Sequence, residues 1–381
     1  MRKPSGGALR FSAMRPAAGS TDPAGTGDGG APVVAAGSHP YPLRPARYEA
    51  QHQPQGESVS DQRVMFVFPG QGSQYRGMGS DLYQEFAAAR QVYDRANEVL
   101  GFDLRELSFA DPAGEIGLTR NTQPALLTHE IACLRVFEEL TGGGLQPALA
   151  AGHSLGEYSA LVAAGALGFE DALRLVRRRG ELMGEHGEGG MLALTLDIDT
   201  ARPLADRHFC QVASCNLPDQ TVVGGRDSDL DALALDLAER MPRKRAIRLA
   251  TEGAFHTYFM VTAALLFRDD LERVTFSAPT VGVLSNYTGV LHEPDSIRTR
   301  LFFQLFNPVN WVGCLNTAIA QQVTTFIEFG GGLGAEDGPA AKRPNLEGII
   351  RKTLKASGVE ARHVAAINCE TLHAAAAAFG G

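Results

Sequence analysis

The stretch Ala148-Leu149-Ala150-Ala151-Gly152-His153-Ser154-Leu155-Gly156-Glu157-Tyr158 decides the fold. Residues 148–151 form a short apolar run, which predicts a strand. The run enters Gly152-His153-Ser154-Leu155-Gly156, and residues 157–167 then have helical composition. Strand, tight glycine turn and helix in that order make the GxSxG elbow. Such a turn lifts a serine hydroxyl above the sheet, and its glycines let two backbones approach closely. It also aims the Leu155 N–H, at a helix N-terminus, toward the place where an oxyanion would develop. The plainer reading of the same residues is a glycine turn with a capping serine, since Ser is a favoured N-cap.

Upstream, residues 64–68 (VMFVF) are an unbroken apolar run ending in Pro69-Gly70. That is the pattern of a strand buried on both faces of a parallel sheet. From Ser80, the N-cap in this reading, Leu82, Phe86, Ala89, Tyr93, Ala96 and Leu100 predict one helix stripe. A second helix is predicted from Thr122, with Pro124 in its first turn. Beyond Gly190 the period changes. Alternation over 191–198 predicts a strand, followed by a helix from Thr200, strands over 210–216 and 220–224, a helix over 230–241 and a strand over 246–250. This βαββαβ order is that of a ferredoxin-like unit. Apolar runs at 281–285 and 323–329 then return to the larger sheet. The expected fold class is α/β. An α/β-hydrolase-like large subdomain with a parallel sheet (residues 62–189 and 252–370) carries an inserted ferredoxin-like small subdomain (residues 190–251).

The chain has 381 residues and a formal net charge of −8, which argues against nucleic acid as the main partner. Its longest uncharged apolar run, near 256–267, falls far short of the ~18 residues of a membrane span. The five cysteines are scattered, odd in number and without a CxxC. A disulfide framework and a zinc site are both disfavoured, no metal is expected, and a reducing, cytoplasmic setting is. Residues 1–61 differ in kind. Gly, Pro, Ala and Ser supply 33 of the first 60 positions, so a disordered extension is expected. Arg2, Lys3, Arg10 and Arg15 precede any acid, a faint likeness to an organelle transit peptide.

A serine hydroxyl is a poor nucleophile without a base. Of the ten histidines, His256 in Gly253-Ala254-Phe255-His256-Thr257 lies where the small subdomain should rejoin the large one. Composition alone makes it a satisfied core histidine. The wider pattern of blocks overturns that. Phe68-Pro69-Gly70-Gln71-Gly72-Ser73-Gln74 with Gly77-Met78, Asn121-Thr122-Gln123-Pro124-Ala125-Leu126-Leu127, Gly152 to Tyr158, Arg179-Gly180-Glu181-Leu182-Met183, Asn216-Leu217-Pro218, Gly253 to His256, and Asn307-Pro308-Val309-Asn310-Trp311 occur in that order. Together they resemble the malonyl-CoA:acyl carrier protein transacylases.

The resemblance implies a Ser154–His256 dyad and an oxyanion hole from the backbone N–H groups of Gln71 and Leu155. It implies that Arg179 pairs with the free carboxylate of malonate, and that Met183 lies beside it in the substrate site. A guanidinium fork matches a carboxylate in two charge-assisted hydrogen bonds. Phe255 would wall the acyl pocket against an α-methyl group, and in polyketide relatives a Phe at this step resembles malonyl-selective enzymes. Malonyl-CoA is the implied substrate, with no permanently bound cofactor, and the partner is an acyl carrier protein bearing a phosphopantetheine arm.

Two departures stand out. Asn310 occupies a place where the family often has Gln; if it acts through its backbone carbonyl, orienting the second nitrogen of the histidine, the change is harmless, and if its side chain acts, the reach is shorter. The Glu-x-Gly-Pro-Gly of the family reads Glu328-Phe329-Gly330-Gly331-Gly332, followed by an inserted polar stretch at 335–344. An acidic carrier protein calls for a basic face, and Arg243-Lys244-Arg245 with Arg248, or Arg174-Arg177-Arg178, could supply it. The rival readings are a trans-acting malonyl acyltransferase serving a polyketide synthase, a serine hydrolase with a Ser…Asp/Glu…His triad, and a non-catalytic carrier-protein-binding module.

Overall fold

The computed structural model describes residues 62–380. The expected extension at 1–61 lies outside the described residues. Val64–Phe68 is β1 and is buried at every position, as its unbroken apolar run predicts. Leu149–Gly152 is β2, Gly190–Leu194 is β3, Gln211–Leu217 is β4, Gln220–Gly225 is β5 and Ala246–Leu249 is β6. Gly282–Val283 is β7, Thr325–Phe329 is β8 and Arg362–Ala366 is β9.

Two sheets result. One has the order β7-β2-β1-β8-β9, and every pairing in it is parallel. The other, β4-β5-β3-β6, is antiparallel throughout, with the helices Ile198–Arg207 and Asp227–Arg240 joining its strands in the ferredoxin-like order. Leu192, Leu194, Leu204, Val223, Leu230, Leu233 and Leu237 make the separate core of this smaller unit. β9 was not legible as a strand. Its residues are mostly half-exposed at the sheet edge, so no continuous apolar run marks them.

Local departures have local causes. The stripe from Leu82 to Leu100 is two helices, Ser80–Glu85 and Ala87–Leu100, broken at the extended Phe86. The Arg90 guanidinium donates to the Tyr83 and Gln84 carbonyls (3.0 and 3.1 Å) that the break releases. Ser80 lies inside the first turn, where its hydroxyl donates to the Gly77 carbonyl, and Gly79 takes the cap position. The next helix is Thr119–Leu140, so Pro124 falls one turn deeper than predicted. Proline lacks the N–H that would serve the carbonyl four residues back. That carbonyl, of Arg120, accepts from Arg177 Nη1 instead (3.1 Å). The alternation over 191–198 is cut short because Asp197 caps the helix Ile198–Arg207, accepting from Thr200 N at 2.9 Å.

Among the described residues, no helix is long and apolar enough to cross a membrane. The inserted stretch at 335–344 forms a loop bridged back by Leu333 and Arg343. Its Lys342 is nearly buried, 4.7 Å over the Tyr75 ring.

Candidate active site

The elbow stands between β2 and the helix Gly156–Ala163. Ser154 has φ +54°, the left-handed conformation that L-residues other than glycine rarely adopt. Its glycines are there for space. A Cβ on Gly156 would lie 2.3 Å from the Phe68 carbonyl oxygen, and one on Gly70 would lie 2.5 Å from that of His153. The loop carrying Gln71 is thereby pressed against the elbow carrying Leu155. Among the described residues, neither the Gln71 nor the Leu155 backbone N–H donates to a protein acceptor. The Gln71 side chain is occupied elsewhere, on Thr119 Oγ1 at 3.0 Å.

Ser154 Oγ is 2.7 Å from His256 Nε2, although 102 residues separate them in sequence. His256 itself has φ +60°. Its Nδ1 meets the backbone carbonyl of Gln304 at 2.7 Å. A carbonyl only accepts, so Nδ1 carries the proton and Nε2 faces the serine as a bare acceptor. Burial, and then the nearby Arg179 cation, hold the His256 pKa down at about 3, so the imidazole rests neutral.

Asn310 does not orient this histidine, contrary to expectation. It caps the helix Trp311–Ala320, its Oδ1 accepting from Gly313 N at 3.0 Å, while its carbonyl accepts from Cys314 N. Capping at a helix start commits both oxygens of Asn310 to their own helix. The orienting carbonyl belongs to Gln304, at the end of the preceding helix, Ile297–Gln304.

Arg179 projects from the helix Phe169–Glu185 and is 1% exposed. Its Nη1 donates to Gln123 Oε1 (2.9 Å), and Nη2 donates to Gln304 Oε1 (3.0 Å) and Ser154 Oγ (3.1 Å). Its carbon lies 5.6 Å over the Tyr158 ring. None of these partners is an acid, and Nε has no partner among the described residues. A buried cation with a spare donor, touching the Ser154 hydroxyl, is suited to an anionic substrate group. Its helix neighbours are otherwise employed. Arg174 pairs with Glu170 and Asp171, Arg177 with Glu181, and Arg178 with Glu181 and Asp270.

Met183 and Phe255 are buried together with Met191, Ala213, Val222 and Met260. Gln123 Nε2 reaches Met183 Sδ at 3.5 Å, which ties that apolar cluster to the arginine. His153 points away from the dyad, to Asn216 Oδ1 at 2.8 Å. Gln304 and Asn286 also belong to the site, without a motif that marks them in the sequence. Asn286 Oδ1 accepts from Ser154 N (2.6 Å), and its Nδ2 donates to the Gly152 carbonyl (2.8 Å). The available signal was weak: Gln304 is a lone amide in the apolar stretch Leu301-Phe302-Phe303-Gln304-Leu305-Phe306. Among the described residues, no group of three or more His, Cys, Asp or Glu side chains is placed to hold a metal ion.

Residues 65–330 match the acyl transferase domain family. The malonyl CoA-acyl carrier protein transacylase of Bacillus subtilis (strain 168) is 43% identical over 280 residues, covering 71% of this chain and 87% of that protein. The crystal structure of the malonyl CoA-acyl carrier protein transacylase from Clostridium perfringens has a TM-score of 0.75 at 30% identity, covering 83% of this chain and 96% of that one. A malonyl-transacylase solved in complex with its type II polyketide-synthase acyl-carrier protein has a TM-score of 0.74 at 32% identity, covering 83% of this chain and 99% of that one.

Proposed function

This chain belongs to the malonyl CoA-acyl carrier protein transacylases of the acyl transferase domain family, and on that premise we propose how its residues carry out the reaction. The enzyme moves the malonyl group from malonyl-CoA to the phosphopantetheine thiol of an acyl carrier protein, for fatty-acid synthesis. Ser154 is the nucleophile. His256 Nε2 takes its proton as Oγ attacks the thioester carbon, and the carbonyl oxygen becomes an oxyanion. The Gln71 and Leu155 N–H groups receive that oxyanion, each donor being worth ~10²–10³ in rate. The carbon–sulfur bond breaks, and His256 returns the proton to the departing coenzyme A thiolate. The carrier thiol then gives its proton to His256 and attacks malonyl-Ser154, and the proton goes back to the released serine oxygen.

The observation that carries this reading is Arg179, buried among neutral partners at 3.1 Å from Ser154 Oγ. A malonyl carboxylate supplies the missing anion, and Met183 and Phe255 line the remainder of the acyl pocket. The small antiparallel sheet, taken as a subdomain over 190–251, contributes Met191, Ala213 and Val222 to the apolar cluster around Met183 and Phe255. Five free cysteines support a cytoplasmic setting. A hydrolase triad has no support here, since His256 leans on a carbonyl where a triad would place a carboxylate.

Intact mass after mixing with malonyl-CoA tests the proposal. The parent protein gains one malonyl group and Ser154→Ala gains none; an adduct that persists in the alanine variant refutes the assignment. The relative solved with a polyketide-synthase carrier favours a second reading, service to a polyketide assembly line. Comparing transfer rates to fatty-acid and polyketide carrier proteins separates the two.

A further inference from the structure

Behind the dyad lies a buried acid that the chemistry above does not use. Glu157, the second residue of the elbow helix, is fully buried. Its Oε2 accepts from the Asn286 backbone N–H (2.9 Å) and from Gln304 Nε2 (2.7 Å). Its Oε1 meets His292 Nε2 at 2.6 Å, and that imidazole is also shut off from solvent. His292 Nδ1 has no partner among the described residues. A protonated ring would bury an unpaired N–H there, so the geometry fits the neutral tautomer with its proton on Nε2. Glu157 then receives three donors, from Asn286, Gln304 and His292, and has only acceptor work to do.

The two amides held by this carboxylate hold the catalytic groups in turn. Gln304 Nε2 also donates to the Ser154 carbonyl (3.0 Å), Gln304 Oε1 accepts from Arg179, and the Gln304 backbone carbonyl fixes His256 Nδ1. Asn286 grips the elbow from the other side through Ser154 N and the Gly152 carbonyl. An amide side chain is symmetric enough in shape to flip, exchanging donor and acceptor. Glu157 accepts only, so it forces Gln304 to present Nε2 inward and Oε1 to Arg179. Its charge also faces the Arg179 cation through that amide and helps keep it ionised against burial.

We propose that Glu157 and His292 are positioning residues for acyl transfer, with Glu157 setting Gln304 and Asn286 and His292 setting Glu157. This rests on the transferase reading of the site. Neither residue touches the reacting atoms.

The test uses full-length parent, Glu157→Gln, His292→Phe and His292→Gln. Malonyl loading followed by intact mass counts competent Ser154 sites. Transfer to a holo acyl carrier protein then gives kcat per competent site and KM. A misplacement of the dyad of this kind lowers kcat per site by about 10- to 100-fold in Glu157→Gln and His292→Phe, with the KM for malonyl-CoA within about threefold. His292→Gln keeps a neutral donor and recovers most of that loss. Unchanged kcat per competent site in Glu157→Gln and His292→Phe overturns the proposal, because a purely structural role would lower only the yield of folded protein. Equal losses in the two His292 variants overturn the part played by His292. Should His292→Phe not fold, Glu157→Gln decides alone: slow per site supports, parent-like overturns. A parent that takes up no malonyl group removes the transferase reading itself, a different outcome from any of these.

Discussion

Replacing Arg179 by alanine deletes a cation that has no acid among its hydrogen-bond partners, beside the hydroxyl proposed to attack. In the proposed mechanism, the malonyl carboxylate meets a guanidinium already desolvated and held by Gln123 and Gln304. Breaking such a buried pair from one side costs about 3–5 kcal/mol, because the other charge is left without its partner. At about 1.4 kcal/mol per tenfold, kcat/KM for malonyl-CoA falls by roughly 10²- to 4 × 10³-fold. Acetyl-CoA brings no carboxylate, so it loses no ion pair, only the neutral contacts of the guanidinium with Ser154 Oγ, Gln123 and Gln304. That loss is partly offset. With the Arg179 cation gone, the His256 pKa moves up from about 3, and the ring becomes a stronger base. The acetyl rate should therefore change by less than about tenfold. Arg179→Lys keeps the charge but not the fork, and should fall between parent and alanine for malonyl-CoA. The assay is rapid mixing with each acyl-CoA, followed by intact mass for acylation and transfer to holo carrier protein for turnover. Equal losses for malonyl and acetyl groups would refute the role given to Arg179, since they would show that it serves the dyad and not the cargo.

Other consequences can be measured independently. His256 is held near pKa 3 in the fold against an ordinary value of 6.5, so between those values the unfolded chain binds more protons, and stability drains away as pH falls through that window. His256→Gln should abolish transfer yet lose less urea stability than the parent between about pH 7 and pH 4.5; a parallel loss in both would contradict the sign. In the parent, the acid limb of kcat/KM should lie well below the usual histidine range. Gly156→Ala places a methyl group against the Phe68 and Pro69 carbonyl oxygens, at 2.3 and 2.5 Å, and should destabilise by at least the ~3 kcal/mol of severe overpacking, seen as a lowered Tm. Phe255→Ser opens the buried cluster next to the dyad and should narrow the preference for malonyl over methylmalonyl by about 1–3 kcal/mol, read from competing acyl-CoAs by intact mass. Charge reversal at Arg243 and Arg245 together should raise the KM for carrier protein while leaving that for malonyl-CoA alone. These two are exposed, whereas Arg248 is already paired with Asp227 and Asp231.

Much of the site was readable because it is written in short range. The elbow needs glycines at fixed offsets from Ser154, and the close contacts at Gly152 and Gly156 show why no larger residue stands there. β1 and β8 announced themselves as apolar runs because both faces are covered. Where periodicity misled, a distant side chain had intervened. Arg90 stabilises the break at Phe86, and Arg177 serves the carbonyl that Pro124 leaves without a donor.

The chain's order of residues thus determined the chemistry on offer: a perched hydroxyl, an imidazole, a fork-shaped cation, and the strand–turn–helix units that present them. It also determined most of the strands and helices, since those depend on neighbours a few positions apart, but not β9 at the sheet edge or the break at Phe86. Only the tertiary structure decided that Gln304 and not Asn310 holds His256, that Arg179 alone of its basic neighbours is left without an acid, and that Glu157 and His292 stand behind the dyad. Those contacts join segments separated by up to 135 residues. Their lengths are set by how loops return to a packed core, and no local period in the chain encodes that path.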